Sequence, residues 1–169
     1  MLANFPTFSL SRPADTLAHL CAMGWLNATE EVVKMEKAGE GNMNLVVRVT
    51  TTERSFILKQ SRPWVEKYPS IAAPGDRMLV EVAFYQAVSN HPAVSARMPA
   101  ILAVDVDSRS AIIEDLGTAS DCTDLYANGR IDPQPLAAWL SQLHGVQVPD
   151  ALKGQLQNRE MRALNHAHI

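Results

Sequence analysis

Several stretches of the chain combine residue types that do chemistry with a spacing that brings them together. Gly39-Glu40-Gly41-Asn42-Met43-Asn44-Leu45-Val46 agrees with the pattern G-x-G-x-x-G-x-V at Gly39, Gly41 and Val46, and has Asn44 where the third glycine belongs. A turn rich in Gly and Asn lets backbone N–H groups approach phosphate oxygens, with Gly39, Gly41, Asn42 and Asn44 as candidate contacts. The same composition suits a plain hairpin turn, because Gly and Asn supply positive φ. Lys59 ends the apolar run Phe56-Ile57-Leu58. Its compact charge on a flexible stem can reach a phosphate; the alternative is a strand-end lysine with its ammonium in water.

Glu81 falls between Tyr85 and Val88 on the helical wheel of a segment with few other polar positions. A carboxylate in apolar surroundings is costly unless paired. Lys59 is the expected partner, because this helix must pack on the strand that precedes it. The competing partner is Arg77, one turn earlier, in the less favourable order of base before acid. Further on, Ile113-Glu114-Asp115-Leu116-Gly117 leaves a strand for a short link. Backbone groups lose their ladder partners at such a point, and a flat heterocycle such as adenine needs an edge of this kind. Glu114 C=O and Leu116 N–H form the expected pair; a polar strand end without a ligand is the other reading. His166 and His168 would share one face of a strand and so a metal ion. No third ligand stands at recognisable spacing, so they are read as structural or substrate-side residues, and no metal ligand is assigned.

The elements that must position these groups follow from pattern and punctuation. Ser11-Arg12-Pro13 and Asp15 open a helix, with Ser11 as capping hydroxyl and Gly24 as its close. Val32, Val33 and Met35, then Leu45 to Val49, then Phe56 to Lys59 read as three strands joined by tight loops, an antiparallel meander. Ser61 to Pro74 carries Pro63, Trp64, Tyr68, Pro69 and Pro74 and reads as a packed loop or a functional lid. Asp76 to Ser89 reads as a helix apolar nearly all round, buried on more than one side and ended by His91-Pro92. Ile101 to Val104 and Ala111 to Glu114 make a fourth and a fifth strand around the turn Asp107 to Ser110. Pro135 to His144 is a helix with Leu136, Leu140 and Leu143 on one stripe.

Composition excludes other classes. The chain has 169 residues, 47% apolar and 20% charged, with net charge −3. That is ordinary globular usage, with no basic field for nucleic acid and no polybasic run for a membrane. The uncharged stretch from Pro133 to Pro149 contains too many polar residues to span a bilayer. Arg12 follows rather than precedes the first apolar residues, unlike a secretory signal. Cys21 and Cys122 lie far apart with no CxxC and are expected to be buried free thiols. The expected setting is the cytoplasm.

Taken in order, the glycine turn, Lys59, Glu81 and IEDLG resemble the N-terminal lobe of the protein-kinase-like fold. More narrowly, GNMNLVVRV, FILKQSRPWVEKYP, DRMLVEVAFY, IIEDLG and WLSQLHG resemble the aminoglycoside phosphotransferase and methylthioribose kinase family, from Glu31 to His144 and more weakly over NREMRALNHAHI. The resemblance implies an α+β fold. Residues 1–116, with a leading helix over 12–24, would form an N-lobe of a five-stranded antiparallel sheet and one packed helix. Residues 117–169 would begin a helical C-lobe. It implies ATP with Mg²⁺, and transfer of phosphate to a small-molecule hydroxyl. Lys59 would hold the ATP phosphates and Glu81 would orient Lys59. Val46, Ile57 and Ile113 would wall the adenine pocket.

The chain departs from the family pattern at Asn44, and at Ile57, where a smaller residue often stands. Phosphoryl transfer also needs an Asp near the acceptor hydroxyl and oxygen ligands for Mg²⁺. The family carries them in an HGD-type segment and a following Asp. Neither occurs after His144; they are expected beyond Ile169, so this chain alone is expected to transfer no phosphate and to bind ATP poorly, the pocket floor coming from the other lobe. The rival expectation is a non-catalytic nucleotide- or ligand-binding module. A downstream reading frame encoding HGD would separate the two.

Overall fold

A computed structural model describes residues 5–27, 29–39, 41–118 and 122–168. Glu40 of the glycine turn and the side chain of His168 lie outside the described residues. The fold is mixed α+β. Strands β1 (Val32–Lys37), β2 (Asn44–Thr51), β3 (Ser55–Ser61), β7 (Ser110–Glu114) and β6 (Ile101–Asp105) form one five-stranded sheet in the order β1-β2-β3-β7-β6. Every pairing is antiparallel.

Alternation along the strands sorts side chains onto two faces. On one face Leu45, Val47, Val49, Phe56, Leu58 and Ile112 pack with Phe8, Leu20, Trp25 and Leu26. Each such buried side chain contributes about 1.5–3 kcal/mol. Helix α1 (Pro13–Ala22) covers this face. Pro13 starts it, and Gly24 (φ +68°) closes it, with Gly24 N–H donating to Cys21 C=O and Trp25 N–H to Leu20 C=O. Ser11 does not cap the helix: its hydroxyl bonds Ser9 Oγ. Cys21 and Cys122 are exposed, not buried. Leu20 takes the inward position on α1, and Cys21, 100° further round, turns to water.

The opposite face carries Ile57, Ala111 and Ile113 against Met78 and Val82 of helix α2 (Arg77–Val88). Helix α2 starts where Ser61 Oγ accepts the Met78 N–H (3.3 Å) and donates to Gly75 C=O. It also packs against α6 (Asp150–Leu156), where Gln155 Nε2 donates to Leu79 C=O at 2.9 Å.

The segment after β3 is not loop throughout. It forms a two-stranded ribbon, β4 (Trp64–Val65) with β5 (Tyr68–Ala72). Pro69 sits in it because a two-stranded ribbon leaves N–H positions without ladder partners. His91-Pro92 ends α2 but also starts the short helix α3 (Pro92–Ser95). Helices α4 (Thr123–Ala127) and α5 (Gln134–His144) bury no residue, and Trp139 Nε1 of α5 donates to Val94 C=O of α3. Helix α7 (Arg159–His168) replaces the strand assumed for the histidine pair. Positions two apart on a helix do not face each other, so the geometric basis for a shared metal is gone. No described helix is long and apolar enough to cross a membrane.

Candidate functional site

Strand register puts Lys59 opposite Val46 on one side and Ala111 on the other, on the sheet face that α2 covers. Lys59 Nζ donates to Glu81 Oε1 at 2.6 Å. The two side chains are 23% and 26% exposed, so the pair is neither sealed nor free in water. The competing partner for Glu81 is engaged elsewhere: Arg77 directs its N–H groups to Asn44 Oδ1 and to backbone carbonyls. Burial pushes the Arg77 guanidinium down to about 10. Tyr85, one turn beyond Glu81, is raised by burial and then by the Glu81 charge.

The glycine turn joins β1 to β2. Gly39 has φ +75°, a conformation that L side chains rarely adopt. Gly41 lies close to the sheet, its absent Cβ facing Val46 Cγ2 at 3.9 Å. Asn42 C=O accepts the Lys67 N–H from the ribbon at 3.0 Å. Asn44 is the first residue of β2, and its Oδ1 accepts Arg77 Nε at 3.1 Å. The residue in the third-glycine position is therefore committed to holding the turn, with its amide nitrogen left for other contacts.

Val46, Ile57 and Ile113 share the face of Lys59. Ile113 is buried against Met78, so Val46 and Ile57 are the partly exposed members of that wall. Glu114 is the last ladder residue, opposite Phe56. Its N–H donates to Ala100 C=O (2.8 Å) and its carboxylate accepts the Ala100 N–H (2.9 Å). No described residue accepts a hydrogen bond from the Leu116 N–H, and Leu116 is 61% exposed.

Sequence reasoning missed how this link is fastened. Arg48 Nε and Nη2 grip both oxygens of Asp115 (2.8 and 2.9 Å), and Nη2 also reaches Gly117 C=O at 2.7 Å. Asp115 is 3% exposed, and the Arg48 fork holds its carboxyl below the usual range. The available signal was the lone charge in Leu45-Val46-Val47-Arg48-Val49.

Chemically, the face offers one cation held by a carboxylate, a turn with exposed backbone, a partly open apolar wall and an unpaired N–H on a fastened link. Among the described residues no three His, Cys, Asp or Glu side chains gather into a metal-sized cluster. Neither a scan against protein-family models nor a search of curated proteins finds a match for this chain.

Proposed function

We propose that the chain is the ATP-binding part of a phosphotransferase that delivers phosphate to a small-molecule hydroxyl, in the manner of the aminoglycoside phosphotransferase and methylthioribose kinase family. The sheet with α2 then corresponds to the N-lobe of a protein-kinase-like fold, and residues 117–169 to the start of the C-lobe. The observation that carries this reading is the 2.6 Å contact of Lys59 with Glu81 across the sheet–helix interface. A lysine pinned in this way has lost rotamer freedom before any ligand arrives, so less binding free energy is spent on ordering it.

In this reading the Lys59 ammonium neutralises phosphate charge, and Glu81 keeps it aimed. Backbone N–H groups of Gly39, Gly41 and Asn42 line the phosphate side, with Asn44 at the root of the turn. Val46, Ile57 and Ile113 bound the adenine ring, the Leu116 N–H donates to a ring nitrogen, and Glu114 C=O takes the exocyclic amine. ATP supplies the phosphoryl group. The acceptor base and the Mg²⁺ ligands belong, by the family resemblance, to an HGD-type segment and a following Asp, and no metal ligand is assigned within this chain.

The test is an equilibrium titration of ATP into the wild-type chain and a Lys59→Ala variant. Loss of one charge-assisted contact is expected to weaken binding about tenfold or more. Equal affinity in both proteins would remove Lys59 from the site. Fusion to an HGD-containing segment is expected to give radiolabelled phosphate transfer to a sugar, aminoglycoside or amino alcohol. Transfer by the chain alone, above its Lys59→Ala control, would show that the base and metal ligands lie within it.

A further inference from the structure

Arg77 is the first residue of α2, one turn before Glu81, and is 7% exposed. A buried guanidinium is costly unless its donors are satisfied. Its Nε reaches Asn44 Oδ1 at 3.1 Å. Its Nη1 reaches the carbonyls of Arg62 (3.0 Å) and Pro74 (2.5 Å), and its Nη2 those of Met43 (2.6 Å) and Trp64 (3.5 Å). Every acceptor is a neutral amide oxygen. Three separate segments supply them: the end of the glycine turn, the root of the β4–β5 ribbon, and the lead-in to α2. The ribbon returns to the turn through Lys67 N–H and Asn42 C=O.

We infer that Arg77 is a positioning residue that ties the glycine turn to α2, so that the turn and the Lys59–Glu81 pair keep one fixed spacing around the phosphates. The inference rests on the nucleotide-binding reading above and adds a second arm to it. On α2, Glu81 grips Lys59 of the sheet, while Arg77, one turn earlier, grips Met43 and Asn44 at the root of the glycine turn. A tilt of α2 that broke one contact would strain the other. Lysine cannot replace arginine here. Its ammonium has three donors on one atom, whereas the guanidinium spreads five across a rigid plane and so bridges three segments at once.

The experiment compares Arg77→Lys with wild type in two measurements. Backbone ¹⁵N relaxation, without nucleotide, reads the turn directly. Order parameters at Gly41 to Asn44 are expected to fall from about 0.85 toward 0.6 in the variant, with β3 unchanged. Titration with ATP and with adenosine then reads the consequence. ATP affinity is expected to fall about tenfold, the equivalent of roughly 1.4 kcal/mol, with adenosine affinity within about twofold of wild type. A purely structural arginine would weaken both ligands alike. An unchanged turn, or equal losses for ATP and adenosine, overturns the inference. Wild type that binds neither ligand defeats the nucleotide reading, and the relaxation data still decide whether Arg77 holds the turn. Should Arg77→Lys fail to fold, Asn44→Ala removes the acceptor of Arg77 Nε at the turn and leaves the α2 sequence unchanged; the relaxation measurement then decides, with the same fall in order at Gly41 to Met43 expected and an unchanged turn overturning the inference.

Discussion

An ammonium and a carboxylate in contact at a partly exposed position stabilise the fold little, because water still screens them. Glu81→Gln is therefore expected to change unfolding free energy by at most about 1 kcal/mol. It removes the charge that aims Lys59, so ATP affinity is expected to fall several-fold. Urea unfolding and ATP titration on the same preparation separate the two effects. Asp115 is the opposite case: it is nearly sealed from water and gripped by the Arg48 fork. Asp115→Ala removes both acceptors of the fork and the acceptor of the Gly117 N–H, so backbone order parameters at Leu116 and Gly117 are expected to fall while those of β3 stay unchanged. Unchanged order at the link would show that it is not fastened by this pair. The two pairs differed in legibility for a physical reason. Glu81 announced itself as a carboxylate in an apolar helix, which requires a cation. Arg48 lies 67 residues from its partner, on the half-exposed face of β2, and nothing local to either residue points to the other.

At the scale of elements, the segment that leads into α1, an N-terminal strap over residues 5–12, is fixed to the sheet by a polar residue rather than by apolar packing alone. Gln60 is fully buried in β3. Its Oε1 accepts the Phe8 N–H (2.8 Å), and its Nε2 donates to Pro6 C=O (2.7 Å) and Ser108 C=O (2.8 Å). Gln60→Leu keeps the volume and orphans those backbone groups, so it is expected to destabilise by about 2–4 kcal/mol in thermal or urea unfolding. A neutral result would mean that the strap is held by Phe8 and its neighbours alone. The sheet and its two covering helices were readable because branched and aromatic residues alternate along β2 and β3, and because Pro13 and Gly24 bracket α1. The ribbon was not. Its strands are short, β5 contains Pro69, and its residues mostly face water, so no period-two pattern marks it. The rival metal reading of the histidine pair required a strand, whereas Arg159–His168 forms an α-helix, as the helical expectation for residues 117–169 has it.

Across the whole molecule, among the described residues, the two clusters of buried apolar side chains lie on the two faces of the five-stranded sheet, Val65, Val88 and Val94 are buried outside them, and α4 and α5 bury none. Acid sensitivity is expected to arise near Glu30, where the loop after α1 meets the turn between β2 and β3. The Arg54 fork, opposed by burial and aided by Thr51 Oγ1 and the Asn27 N–H, lowers the Glu30 carboxyl from 4.5 to about 2. A carboxyl depressed in the folded state stabilises above its unfolded value and loses that contribution as pH falls through its folded value. Stability is thus expected to drop between about pH 4.5 and pH 2, and Glu30→Gln is expected to flatten that part of the profile. An equally steep profile in the variant would place the acid-sensitive group elsewhere. The measurement that bears most directly on nucleotide binding is an NMR titration of the labelled chain with ATP and with adenosine. ATP should shift the Lys59 side-chain resonances together with the Gly41 and Leu116 amides, whereas adenosine should shift Leu116 and leave Lys59 in place. ATP that leaves Lys59 and Gly41 unmoved, or that shifts the Gly41 amide equally in Lys59→Ala, would contradict the phosphate site around the Lys59–Glu81 pair.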